Sequence, residues 1–115
     1  MQEYIEQIFP YYREIRHKIH AYPELRYDEF NTAALIAQEL KEMGLKVITS
    51  IGKTGVVAIL DTGKPGKTIG LRADMDALPI VENTELSYKS TIIGKMHACG
   101  HDGHTATLLA TAKTL

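Results

Sequence analysis

Apolar residues recur along the first forty positions with the period of a helix. Ile5, Ile8, Tyr12, Ile15 and Ile19 follow one another at spacings of three and four, which predicts an amphipathic helix over residues 3–20. Pro10 interrupts that pattern and predicts a division into two shorter pieces, because proline supplies no backbone donor. Pro23 ends it. Asp28 stands where an N-cap belongs, ahead of a second helix from Glu29 to Met43. Its apolar stripe is Ala33, Ile36, Ala37, Leu40 and Met43, and Gly44 sits at the usual place of a C-terminal glycine.

The pattern then changes to that of strands. Leu45–Ile48 and Gly55–Leu60 are the first two, and Lys67–Ala73 is the third. Asp61–Gly66, dense in turn formers, reads as the hairpin loop between the last pair. Residues 77–96 read as mostly irregular. A last helix starts near Asp102 or Gly103 and runs through Thr107–Lys113 with no stop signal before Leu115. The order α-α-β-β-β-loop-α predicts an α/β layer, the first part of a larger sheet cut mid-helix.

Composition narrows the class. A chain of 115 residues, 44% hydrophobic and 23% charged, has the balance of one small globular domain. Thirteen basic against fourteen acidic residues leave a net charge of -1, so neither nucleic acid nor a membrane surface has electrostatic support as a partner. No apolar run approaches a membrane span, and the acidic start Met1–Glu6 lacks the apolar core of a secretory signal. The single cysteine cannot form an internal disulfide, which favours a reducing cytoplasm.

Candidate chemistry concentrates in Met96–His104, which holds that cysteine, three of the five histidines and Asp102. Cys99 and His101 are ligand types that suit zinc. They can meet on one ion if the backbone there is extended, since residues i and i+2 then share a face. Residue types alone equally allow a buried structural cysteine beside a hydrogen-bonded surface histidine. Asp74 and Asp76 directly follow the third predicted strand, at the strand end where open α/β sheets place ligands. One could bind a metal and the other orient a histidine. They fit an Asp-rich turn as well, with Arg72 paired to one of them. In Arg16–Leu25, His17, Lys18 and His20 suit a helix C-terminus, and nothing in their spacing makes either histidine a ligand. Gly52-Lys53-Thr54-Gly55 lacks the leading glycine and following helix of a phosphate loop.

Four segments occur together and in order: Arg16-His17-x-x-His20-x-x-Pro23-Glu24-Leu25, Gly52–Val57, Gly70–Ile80 and Met96–Ala106. In this the chain resembles the amidohydrolase branch of the M20 metallopeptidases, which includes hippurate hydrolases, N-acyl-L-amino acid amidohydrolases, auxin-conjugate hydrolases and N-acetyldiaminopimelate deacetylases. The hippurate hydrolase type is nearest, through Gly-Lys-Thr-Gly-Val-Val and Cys-Gly-His-Asp-Gly-His. The resemblance implies a three-layer α/β/α catalytic domain of zinc-peptidase type. Residues 1–115 would be its N-terminal part, without the inserted dimerisation and lid domain. It implies two divalent metal ions, zinc or manganese, with Cys99 and His101 as the first two ligands. Asp76 matches the aspartate that supports the metal centre and is the candidate catalytic residue. Asp74 falls where other branches carry a ligating histidine, and His104, Asp102 and Arg72 belong to the motifs without an assigned step.

The implied reaction is hydrolysis of an N-acyl amino acid by a cytoplasmic homodimer or homotetramer. Its general base is a glutamate in a Glu-Glu motif that this sequence does not contain, so little or no turnover is expected from these residues alone. The alternatives are a metal- or thiol-binding module without catalysis, a half-protein completed by a separate chain, and a truncation product.

Overall fold

The helical periodicity is realised nearly in full. The computed structural model describes residues 1–115. Helix α1 spans Gln2–Ala21, α2 spans Phe30–Glu42 and α3 spans His101–Thr114. Strands β1 (Lys46–Ile51) and β2 (Gly55–Ile59) form a two-stranded antiparallel sheet. Tyr12, Ile15 and Ile19 of α1 meet Leu40 of α2 and Leu109 of α3 in the buried core. Val47, Val56 and Ala58 of the sheet pack against that cluster. Apolar area removed from water here is what holds α1, α2, α3 and the hairpin together. None of the helices is long and apolar enough to cross a membrane.

Pro10 does not divide α1, which runs through it unbroken. It lies on the exposed face, where the carbonyl one turn earlier, left without a partner, is open to water. Ile5, predicted on the buried face, is 41% exposed because the first turns of α1 overhang the core. Helix α2 is not capped by Asp28, an exposed residue 3.8 Å from Lys53 Nζ. Glu24 does that work: its carboxylate accepts from the Asn31 and Thr32 backbone N–H groups and from the Thr32 hydroxyl. A carboxylate at that end also suits the helix dipole. Gly44 takes the left-handed conformation foreseen for it, with φ +79°.

The strands depart most from expectation. The one hairpin joins β1 to β2 at Gly52–Thr54, and the hairpin expected at Asp61–Gly66 does not form, because the strand that should follow it is absent. Gly52 and Lys53 both have positive φ, and Ile51 pairs directly with Gly55. A Cβ at Gly55 would lie 2.5 Å from the Ile51 carbonyl oxygen, so only glycine closes this turn without strain. The third predicted strand, Lys67–Ala73, is no strand at all. No other segment pairs with it, and Ile69 stands 83% exposed. An extended segment without a partner satisfies its backbone with water and acquires no ladder. Residues 77–96 are mostly irregular, as foreseen, apart from isolated bridges of Ala77 to Leu25 and of Leu78 to Met96.

Candidate metal centre

Two loops and one helix end build the site. Gly100 sits at the N-cap of α3 with φ 90°, and helix starts at His101. The left-handed residue reverses the chain between the two candidate ligands. The extended geometry that would place Cys99 and His101 on one face is therefore not the one adopted. Cys99 lies exposed on the loop side of this turn, and His101 is half-buried on the helix side.

The loop carrying Asp74 and Asp76 is held from both sides. The Ala77 N–H donates to the Glu24 carbonyl at 2.8 Å, tying the loop to the Pro23-Glu24-Leu25 segment. Leu78 and Met96 exchange backbone hydrogen bonds of 2.9 and 3.0 Å. The Thr105 hydroxyl of α3 donates to the Asp74 carbonyl at 3.1 Å. These ties bring Asp76 Oδ1 to 2.9 Å and its backbone carbonyl to 3.0 Å from His101 Nδ1. Both partners are acceptors, so Nδ1 carries the proton and Nε2 keeps its lone pair. An aspartate behind a histidine in this way fixes the tautomer that can bind a metal.

Asp74 does not join them. It accepts from Arg72 at 2.7 Å (Nη2) and 3.0 Å (Nε) in an exposed pair, so the charge-paired turn is the arrangement adopted. The exposed His104 ring lies 5.7 Å from the ring of His101. No three side chains among histidine, cysteine, aspartate and glutamate converge to hold an ion. The residues present fit a metal as part of a ligand set: a thiolate sulfur, an imidazole Nε2 and a carboxylate supporting the imidazole. A groove of about 490 Å³ between Tyr4, Tyr11, Glu39, Glu42 and Lys113 contains none of them.

Beneath the turn lies a cluster whose connections the sequence did not reveal. Asp102, 1% exposed, accepts from His20 Nδ1 at 2.9 Å and from Arg16 Nε at 3.2 Å. The other His20 nitrogen faces Glu82 Oε1 at 2.8 Å. Burial pushes the Asp102 carboxyl up, but the hydrogen bond from His20, the Gly103 N–H and the Arg16 charge outweigh it and hold it below the ordinary carboxylate range. Glu82 is likewise lowered: burial is outweighed by bonds from the Thr84 hydroxyl, the Ser90 N–H and His20. His97, 4% exposed, has no hydrogen-bond partner at either ring nitrogen, and burial holds its pKa below the usual histidine value. His20 and Asp102 sit in motifs visible in the sequence, but their contact spans 82 positions and left no local signal.

A cysteine and a carboxylate-backed histidine at a helix start are ligand types that a metal site can use. Residues 70–115 match the profile of Peptidase family M20/M25/M40. The chain is 60% identical over 104 residues to the hippurate hydrolase of Campylobacter jejuni, covering 90% of this chain and 27% of that enzyme. It is 51% identical over 112 residues to thermostable carboxypeptidase 1 of Saccharolobus solfataricus, covering 96% of this chain and 28% of the relative. Among solved structures, the Bacillus subtilis YXEP protein, a dinuclear metal binding peptidase from the M20 family, superposes with a TM-score of 0.90 at 39% identity. That match covers 96% of this chain and 31% of the YXEP chain. The chain belongs to the M20 peptidase family. It spans about a quarter of the length of the curated relatives it matches.

Proposed function

We propose that this chain supplies the first ligands of a divalent-metal centre that hydrolyses an N-acyl amino acid, of the hippurate or N-acetyl type, to a carboxylate and a free amino acid. Residues 1–115 are the N-terminal part of the catalytic domain in this reading. Cys99 and His101 are metal ligands, and Asp76 is the carboxylate that supports them. The observation that carries the reading is the bond between Asp76 Oδ1 and His101 Nδ1, 2.9 Å long, at the helix start beside Cys99.

The metal, zinc or manganese in a dinuclear site, supplies Lewis acidity toward the scissile carbonyl and toward water. The chain's own residues supply position. Asp76 accepts the Nδ1 proton of His101 and keeps Nε2 free as a donor atom. Gly100 provides the left-handed turn that sets Cys99 off the helix. Glu24 and Thr105 hold the aspartate loop in place. No carboxylate here is placed as a general base beyond these roles, so the 115 residues alone do not turn over substrate. The whole enzyme, in this reading, is a cytoplasmic homodimer or homotetramer acting on small molecules.

The test is a titration of the chain with Zn²⁺ or Mn²⁺ beside Cys99→Ala and Asp76→Ala, followed by incubation with hippurate and N-acetyl amino acids. Asp76→Ala weakens metal binding by about 10- to 100-fold, the usual cost of removing a carboxylate behind a ligating histidine. Cys99→Ala weakens it further. Metal binding that is indifferent to both changes overturns the ligand roles, and turnover by the unmutated chain overturns the expectation that these residues alone are inactive.

A further inference from the structure

The buried cluster beneath the ligand turn has one hub. His20 is 4% exposed and has a carboxylate oxygen at each ring nitrogen, Asp102 Oδ2 at 2.9 Å and Glu82 Oε1 at 2.8 Å. Each acid therefore meets a ring nitrogen of the same buried side chain, so His20 bridges them. Arg16 Nε adds a further bond to Asp102 Oδ2 at 3.2 Å. The remaining groups against His20 are the Tyr88 ring, edge-on at 5.4 Å, and the His97 ring at 6.4 Å.

Each carboxylate belongs to a different part of the fold. Asp102 directly follows His101 in the first turn of α3. Glu82 anchors the loop over residues 82–91 by accepting from the Ser90 N–H at 3.0 Å. That loop returns to α1 where the Thr91 N–H and hydroxyl donate to the Ala21 carbonyl at 2.8 and 2.7 Å. His20 is the side chain that joins the loop to the helix end. Resting on the metal-centre reading above, we propose that His20 is a positioning residue for that centre: hydrogen-bonded at both ring nitrogens, it ties Asp102 to Glu82 and thereby fixes the turn that carries Cys99 and His101.

The experiment uses the full chain with Co²⁺ as probe, read at the thiolate-to-cobalt charge-transfer band that Cys99 contributes. His20→Gln, which removes the ring that bridges the two acids, is expected to bind Co²⁺ about tenfold more weakly and to alter that band. Adding Glu82→Gln to His20→Gln brings no further loss, because Glu82 reaches the turn through His20. His17→Gln, which removes a ring stacked on Tyr88 at 3.7 Å and leaves the cluster in place, does not change the affinity. Co²⁺ affinity and band unchanged in His20→Gln overturn the positioning role alone. An unmutated chain that binds no Co²⁺ overturns the metal-centre reading and this role with it. If His20→Gln does not fold, the Co²⁺ affinity of Glu82→Gln decides: an unweakened Glu82→Gln overturns the role.

Discussion

The α1–α3 interface and the segment 60–73 both carry large aliphatic side chains and meet opposite fates. In the interface, Ile15, Ile19 and Leu109 are buried and hydrogen bonds join His20 and Arg16 to Asp102 and His20 to Glu82. In the segment, Ile69 and Leu71 are 83% and 57% exposed and no ladder forms. A helix satisfies its backbone from within, so its sidedness is enough to predict where it packs. A strand satisfies its backbone from outside, and without a neighbouring strand the same residues remain extended and wet.

The comparison breaks most sharply at Asp102. Asp102→Ala leaves His20 and Arg16 facing an uncompensated buried site, a change that costs about 3–5 kcal/mol. Chemical denaturation of the variant beside the parent chain measures it. A loss no larger than that of an exposed substitution would show that water already screens the cluster. Leu109, 2% exposed, comes next. Leu109→Ala removes the α3 contribution to the core and costs about 2–5 kcal/mol, including the cavity it leaves. Ile69→Ala, in the unpaired segment, stays within about 0.5 kcal/mol. Equal effects at the two positions would mean that residues 67–73 are paired or packed in solution.

What could be read in the sequence follows the same division. Spacings of three and four gave α1 and α2 to within one residue, α3 was placed to within two, and β2 to within one, while the first strand was read three residues short of the end of β1. The third strand was misread because period-2 alternation carries no information on whether a partner exists. Asp28 was misassigned as the cap of α2 because Glu24, which serves, reaches back from outside the usual capping position. The candidate ligands Cys99 and His101 stood out by residue type, and Asp76 by the resemblance. The role of His20 was hidden, since its partners lie 62 and 82 positions away and only the folded chain brings them together.

A third difference between the regions is their response to acid. The depressed folded-state pKa of Glu82 means its bonds to Thr84, Ser90 and His20 favour the carboxylate form. A group lowered in the folded state adds stability above its unfolded value, about 4.3, and loses it as pH falls through the folded value. The interface therefore loosens below about pH 4. Glu82→Gln lowers stability at pH 7 and flattens that acid limb. Thermal unfolding followed between pH 7 and 3 measures both effects, and an unchanged acid limb in Glu82→Gln removes Glu82 as its source.

The smallest effect lies on the outer side of α1, where an acid–hydroxyl pair stands in water instead of in the core. Tyr11 donates to Glu39 Oε1 at 2.7 Å and is 51% exposed. The hydrogen bond and the charge of Glu39 hold its pKa up at about 12, against an ordinary 10. Tyr12, 6% exposed, is raised to about 12, chiefly by burial. Raised values of this kind leave stability intact below pH 10 and withdraw it as pH climbs toward 12. Tyrosinate absorbance of the folded chain should show a late phase near pH 12 that vanishes in denaturant. Glu39→Gln moves the Tyr11 share of that phase toward pH 10 and leaves the share set by burial of Tyr12 largely in place. If the whole late phase shifts, the charge on the α2 surface governs both rings, and burial separates them less than the contrast between core and surface requires.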